Sequence, residues 1–189
     1  MRQDAGARNQ ERYDQAFALL DNVRDKVVAL LRTVSQAQAD RRPAENEWSI
    51  GEIADHLAIT ERAYMAGVAE LAAHAKPNEF DYEEVARNRR FRVEDLGDAA
   101  ITGKFATPPQ LLPTRAKPIA ELLRALEEAR SESKRTLAPY RDEGLGVKFF
   151  HHPKVGPITL YERMANIAYH ELKHLNQMER TLARLSSPR

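Results

Sequence analysis

The sequence predicts an all-α protein, a four-helix bundle with a long crossover between its second and third helices. Three observations favour this fold. Apolar residues recur at helical spacing in four segments of the 189-residue chain. Two of these segments open on a capping box, and strand-like alternation is almost absent. Four long amphipathic helices in one chain are typical of a bundle. We expect the helices at about 11–40, 49–75, 118–137 and 159–184.

The first predicted helix follows a polar stretch, residues 1–9, which we expect to be a disordered lead-in. Its apolar positions repeat every three or four residues, and the helix ends before Arg42-Pro43. The second helix opens on Ser49-x-x-Glu52, in which the serine hydroxyl accepts from a free backbone N–H and the carboxylate reaches back to the cap. These signals place the first two helices side by side, joined by a short connection.

Residues 78–117 lack strong periodicity and contain several prolines, so they predict a crossover with one short helix at about 81–89. The third helix begins near Pro118, because proline suits a first turn, and Pro139 stops it. Residues 142–156 are expected to be a loop. The fourth helix then opens on a second capping box, Thr159-x-x-Glu162.

Composition limits the class of protein. The chain carries a formal net charge of +1, so it offers no strong field to attract nucleic acid or an anionic membrane. There is no cysteine, so any metal must be held by nitrogen and oxygen ligands. Neither a signal peptide nor a membrane-spanning run is evident. We expect a single helical-bundle domain over residues 10–187, in a cytoplasmic protein.

Three histidines form the candidate functional site. His170 and His174 stand four residues apart, so both imidazoles lie on one face of the fourth helix. His56 lies in the second helix, and three histidines from two packed helices could hold one metal ion with coordination positions left free. A buried histidine such as His56 is more often satisfied by an ordinary hydrogen bond, and a pair such as His170 and His174 also arises by chance on surface helices. Together they favour a metal, since burying three unpartnered imidazoles costs several kcal/mol.

The remaining histidines and one further motif have weaker claims. His74 lies at a helix end, and His151 and His152 lie in the predicted loop. His170-Glu171-x-x-His174 also matches the zinc-protease pattern His-Glu-x-x-His. No histidine follows His174 to act as a third ligand, and the sequence shows no strand signal before the helix, so we expect a metalloprotease to be the weakest alternative.

Two blocks of residues carry a resemblance to a known family. They are Trp48-Ser49-x-x-Glu52-x-x-x-His56-Leu57 and His152-Pro153-x-x-Gly156-x-x-Thr159-Leu160, the latter followed by His170-x-x-x-His174-x-x-Gln177. In this order they resemble the DinB/YfiT-like superfamily of four-helix-bundle metalloenzymes, over about residues 10 to 185. The resemblance implies that His56, His170 and His174 bind one divalent ion, zinc or nickel. Many members have another histidine beside the last ligand, where this chain has Lys173 and Leu175.

The resemblance implies a metal-dependent enzyme acting on a small molecule, because some members are thiol-dependent S-transferases and others are assigned as hydrolases. A three-histidine ion can activate a water or bind a thiol as its thiolate. A transferase would need an exogenous low-molecular-weight thiol, since the chain has no cysteine. Glu171 is a candidate general base, although an ordinary supporting carboxylate is the simpler interpretation. A third alternative is a non-catalytic, metal-stabilised bundle for binding or interaction.

Two sets of residues are candidates for binding substrate. Asn166, one helical turn before His170, is a candidate for orienting it, and the arginines between Arg87 and Arg92 are candidates for binding an anionic group. An apolar cluster in the predicted loop favours a homodimer if it is exposed. Its members are Leu145, Val147, Phe149 and Phe150.

Overall fold

The structure is a computed structural model that describes residues 2–74, 107–115, 117–142, 144–152 and 156–186. Four long helices dominate these residues and form a four-helix bundle, as the sequence predicted. They are α1 (Arg2–Thr33), α3 (Ile50–His74), α4 (Ile119–Leu137) and α5 (Leu160–Ser186). A short helix, α2 (Gln36–Asp40), lies between α1 and α3. The closest packing joins α3 to α4 and α5, and α1 to α5.

The core consists of two apolar clusters stacked along the bundle. One joins α1, α3 and α5 around residues such as Phe17, Met65 and Met164. The other joins all four long helices around residues such as Leu31, Leu57, Leu126 and Met178. Leu172 of α5 packs against both clusters, so the turn of α5 that carries His170 and His174 lies where the two halves of the core meet.

The predicted bounds of α3, α4 and α5 agree with the structure, but those of the first helix were wrong. Residues 2–9 continue α1 as helix, where a disordered lead-in was expected. Tertiary contacts bind the helix at Asn9: its Nδ2 donates to the Asp142 carbonyl (3.2 Å), and its carbonyl accepts from the Tyr161 hydroxyl (3.1 Å). At the other end, Ser35 interrupts the helix predicted to reach residue 40.

Capping explains where three helices begin. Ser35 and Gln38 form a capping box that starts α2, with Ser35 N donating to Gln38 Oε1 at 2.9 Å. Both predicted capping boxes are present as well. Ser49 N donates to Glu52 Oε2 (2.9 Å) at the start of α3, and Thr159 N donates to the Glu162 carboxylate at the start of α5. The reciprocal serine and threonine bonds satisfy N–H groups that a first helical turn leaves open.

The segment predicted as a loop between residues 142 and 156 contains a β-hairpin instead. Strand β1 (Phe149–His152) pairs antiparallel with β2 (Gly156–Thr159), and Phe149 lies opposite Thr159. The two strands lead into α5 and so set its start. Leu145 is fully buried in the core of its own chain, which contradicts its assignment to an exposed cluster. The homodimer therefore loses the support of Leu145, while the side chains of Val147 and Phe150 lie outside the described residues. The homodimer stays a prediction that light scattering would test.

Some expectations fall on residues that the structure does not describe. The short helix at about 81–89 and the arginines between Arg87 and Arg92 lie outside the described residues. The side chains of His151 and His152 do so too, although their backbone belongs to β1. Within the described ranges, no helix is long and apolar enough to cross a membrane.

Candidate metal centre

The start of α3 is held firmly, and this fixes the position of His56. Glu52 closes the capping box and also accepts two bonds from Arg42, from Nε at 2.8 Å and from Nη2 at 2.5 Å. His56 follows one turn later and is only 3% exposed. His170 and His174 stand one turn apart on α5, which packs against α3. The two helices thus bring all three rings to one point.

The structure brings together the three histidines that the sequence singled out. The ring centroids lie 5.3 Å apart for His56 and His170, 4.9 Å for His56 and His174, and 4.6 Å for His170 and His174. One ring nitrogen from each lies within 4.8 Å of the other two. Nitrogens bound tetrahedrally to one ion at 2.0–2.1 Å lie roughly 3.4 Å apart. The Nε2 atoms of His56 and His170 lie at this separation, 3.4 Å, and His174 offers a ring nitrogen within 4.8 Å of both, so the donor set is compatible with one divalent ion.

Hydrogen bonds on the far side of two rings fix where their protons lie. His56 Nδ1 donates to the Leu111 carbonyl at 2.7 Å, and His174 Nδ1 donates to the side-chain oxygen of Gln177 at 2.9 Å. A carbonyl oxygen can only accept, so in both rings the proton belongs on Nδ1. The Nε2 atoms therefore carry the lone pairs that a metal would bind, and the Thr60 hydroxyl lies 3.4 Å from Nε2 of His56. Histidines that bind a metal usually donate their other ring N–H to a carboxylate, a carbonyl or water, and this bond orients the ring. The bonds to Leu111 and Gln177 are of this kind.

Burial keeps the three imidazoles neutral. Loss of solvent lowers the pKa of His56, and it lowers that of His170 well below its usual range, with the neighbouring histidines adding to the effect. The pKa of His174 falls to about 4, mainly through burial and then through its proximity to His56. Because a metal binds the neutral ring, these histidines need not lose a proton at pH 7 to act as ligands.

Trp48 forms an aromatic wall beside the site. Its ring lies 4.8 Å from that of His56, and 6.2 Å from that of His174, to which it is nearly parallel at 23°. Trp48 is half-buried, and it is the single tryptophan of the chain. A metal or small molecule at the histidines would thus lie next to a unique fluorophore.

Two other predicted residues have different surroundings. His74 lies at the exposed end of α3 and donates from Nδ1 to the Glu70 carbonyl (3.0 Å), away from the three histidines. Asn166 lies half-buried on α5, and no described contact gives it a role in the site.

Glu171 is bonded to arginines. It is 1% exposed, and its carboxylate accepts from Arg24 Nε, from Arg24 Nη2 at 3.2 Å and from Arg130 Nη2 at 3.5 Å. Burial raises its pKa, although the arginines oppose the shift. Its general-base role stays a prediction, and the observed partners favour the alternative of a supporting carboxylate.

Sequence reasoning missed the polar groups that support the site. One is a buried network in which Arg24 and Arg130 bind both Glu61 and Glu171, so that α1, α4, α3 and α5 are joined through charge. Another is the Leu111 carbonyl, together with Asp55, which binds the segment around it. A backbone carbonyl in an aperiodic segment leaves no signal in a sequence. The charged residues at buried helix positions were visible, but their partners were not.

Comparison with known proteins agrees with this architecture. The sequence profile of the DinB superfamily matches residues 19–178. A Bacillus subtilis (strain 168) protein described as uncharacterized protein YuaE is 24% identical over 151 residues, which cover 79% of this chain and 86% of that protein.

A solved structure has a similar fold. It is YfiT from Bacillus subtilis, described as a probable metal-dependent hydrolase with an unusual four-helix bundle topology. The TM-score is 0.57 at 15% sequence identity, and the match covers 93% of this chain and 88% of the other. The profile match spans most of the sequence, including all three histidines, and the fold is that of a four-helix bundle. The chain therefore belongs to the DinB superfamily.

Proposed function

We propose that this protein is a metal-dependent hydrolase that acts on a small molecule, with one divalent ion held by His56, His170 and His174. The observation that carries the proposal is the convergence of three neutral imidazoles, two of which have an unprotonated Nε2 because their Nδ1 donates to a carbonyl oxygen. Zinc and nickel are the proposed ions, since both accept imidazole ligands. Three protein ligands leave room for a further ligand, which is typical of catalytic rather than structural sites.

The chain's own residues supply the frame of the proposed site. When bound, the ion would supply a Lewis acid that polarises a substrate and activates water at neutral pH. His56 and His174 would be kept in the binding tautomer by Leu111 and Gln177. Trp48 would line the site and exclude water on one side. YfiT, the structural neighbour described as a probable metal-dependent hydrolase, supports this choice of reaction class by analogy of fold.

In this proposal Glu171 supports the bundle and does not move protons. Both of its oxygens accept bonds from arginine, and these bonds would have to weaken for Glu171 to take up a proton as a general base. Glu171→Gln would therefore act mainly on stability. Loss of turnover with unchanged stability and unchanged metal content would instead favour the general-base prediction.

The test is turnover by metal-loaded protein against a panel of small esters and amides, with and without glutathione-, bacillithiol- or mycothiol-type thiols. The proposal predicts cleavage that does not depend on thiol. His170→Ala should abolish it, because two imidazoles hold such an ion poorly, whereas the matched control His74→Ala should retain it.

Two results would contradict the proposal in different ways. Consumption of an electrophile only in the presence of thiol would show a thiol-dependent S-transferase. Tight metal binding without turnover on any substrate, with a melting temperature that collapses under chelation, would show a metal-stabilised bundle that serves binding or interaction.

A further inference from the structure

Asp55 is a buried carboxylate that no part of the proposed hydrolysis uses. It precedes His56 on α3 and is almost completely buried. Its two oxygens accept three bonds, all from one segment. Oδ2 accepts from the backbone N of Thr114 at 2.8 Å and from its Oγ1 at 2.9 Å, and Oδ1 accepts from Lys117 Nζ at 2.7 Å. A charge buried so fully is costly unless it is paired and hydrogen-bonded, and these three bonds meet that need.

The segment that Asp55 binds also carries the partner of His56. We call residues 107–115 and 117 the strap, since they run across α3 to the start of α4. A 3₁₀ turn, Pro109–Leu111, lies within it, and the Leu111 side chain is buried. The Leu111 carbonyl accepts from His56 Nδ1 at 2.7 Å, the shortest polar contact of this ring. The Thr60 hydroxyl of α3 lies farther away, 3.3 Å from Nδ1 and 3.4 Å from Nε2. Neighbouring residues of α3 therefore contact the strap at two points, one through a carboxylate and one through an imidazole.

We propose that Asp55 is a positioning residue for the metal site, which acts by binding the strap so that the Leu111 carbonyl keeps the proton of His56 on Nδ1. This inference rests on the proposed function, since it concerns the same three-histidine site. The physical reason is that a neutral imidazole carries its proton on only one nitrogen. If the carbonyl moves away, the proton can shift to Nε2, the atom that faces His170 at 3.4 Å. The lone pair needed for a metal is then lost.

A carboxylate is required because every group that binds it is a donor. Thr114 donates from two atoms to Oδ2, and Lys117 donates to Oδ1. In Asp55→Asn one of the two oxygens becomes an NH2 group, which cannot accept. In either orientation of the amide, a donor of the strap faces another donor. The variant keeps the size of the side chain but should loosen the strap.

The first readout needs no metal. ¹⁵N NMR of the histidine side chains in the metal-free protein reports which ring nitrogen of His56 carries the proton. We expect Nδ1–H in the wild type and a mixture of both tautomers in Asp55→Asn. A purely structural role for Asp55 would lower the melting temperature without changing this ratio.

The second readout is zinc affinity, measured by chelator competition with Trp48 fluorescence as the reporter. We expect Asp55→Asn to bind zinc about 10- to 100-fold more weakly, the usual effect of removing support from a ligand. The double variant Thr114→Val/Lys117→Met changes only the strap and removes two of the three bonds to Asp55. It should shift the tautomer ratio and the zinc affinity in the same direction as Asp55→Asn. It provides the test if Asp55→Asn does not fold.

The matched control is Asp14→Asn. Asp14 also binds a segment outside its own helix through both oxygens, accepting from Arg141 Nε (3.1 Å) and Nη2 (2.5 Å), but it lies on α1 among exposed residues. It should leave tautomer and affinity unchanged. If the folded Asp55 and strap variants match the wild type in both readouts, the inference is overturned. If wild-type protein itself binds no metal, the proposed function fails, and the tautomer ratio still decides the role of Asp55.

Discussion

Replacing Arg24 by methionine should remove the centre of a buried charge network. The Arg24 guanidinium binds the carboxylates of Glu61 and Glu171 and donates from Nη1 to the Leu126 carbonyl at 2.6 Å. The two glutamates are 1–2% exposed at their side chains. Without Arg24 they would share the remaining arginine, Arg130. The variant thus leaves one buried carboxylate without adequate compensation.

The expected loss follows from burial. Removing one partner of a buried ion pair costs about 3–5 kcal/mol, because the other charge stays out of water without its counterion. For a chain of this length, that loss corresponds to a fall in melting temperature of roughly 6–20 °C. The matched control is Arg184→Met, which breaks a pair with Glu47 whose side chains are both about half exposed. Exposed pairs are worth only about 0–1 kcal/mol.

The assay is urea unfolding of both variants and the wild type at neutral and acidic pH. In Arg24→Met, one glutamate should have a folded pKa above its unfolded value, which is near 4.5. Protonation then relieves the uncompensated charge, so the deficit should be full at pH 7.5 and should shrink as the pH falls toward 4.5. A loss at pH 7.5 no larger than that of Arg184→Met, with unchanged m-value, would refute the reasoning.

Two further predictions concern packing and acid. Gly51→Ala should destabilise the fold by about 1–3 kcal/mol, because the new Cβ would lie 3.2 Å from the Ala39 carbonyl oxygen. Gly67→Ala lies in the same helix, but its new Cβ would meet only the end of an arginine side chain, so it should stabilise the fold by about 1 kcal/mol. Equal urea midpoints for the two variants would contradict both expectations. The pKa of His174 in the metal-free fold is about 4 against 6.5 ordinarily, so its contribution to stability is present above pH 6.5 and lost as the pH falls toward 4. That contribution is about 3 kcal/mol at most. The measurement is the free energy of unfolding of wild type and of His174→Gln between pH 6.5 and 4. A difference between the two proteins that stays constant over this pH range would contradict the prediction.

Signals that are local in the chain predicted much of the fold. The capping boxes at Ser49 and Thr159 mark the starts of α3 and α5, because the residues that form each box are neighbours in sequence. The box at Ser35 was equally visible, yet the apolar periodicity continuing through Val34 masked the break between α1 and α2. The hairpin of β1 and β2 was missed because each strand has only four residues, too few for alternation to stand out.

The sequence singled out the three histidines that come together, but it did not predict the groups that support them. The spacing of His170 and His174 fixes their relation on any helix, and His56 stands out within its own helix signature. Arg24, by contrast, looks like any charged residue on an amphipathic helix until its partners on other helices are known. The Leu111 carbonyl is a backbone group, so its bond to His56 depends only on the path of the strap.

The metal content of purified protein after exhaustive dialysis tests the central claim most directly. Elemental analysis should find one zinc or nickel ion per wild-type chain. It should find far less in His56→Ala, because only the two histidines of α5 would remain. The control His74→Ala should keep the full equivalent, since its ring lies at the exposed end of α3. A full equivalent of metal in His56→Ala would contradict the three-histidine site.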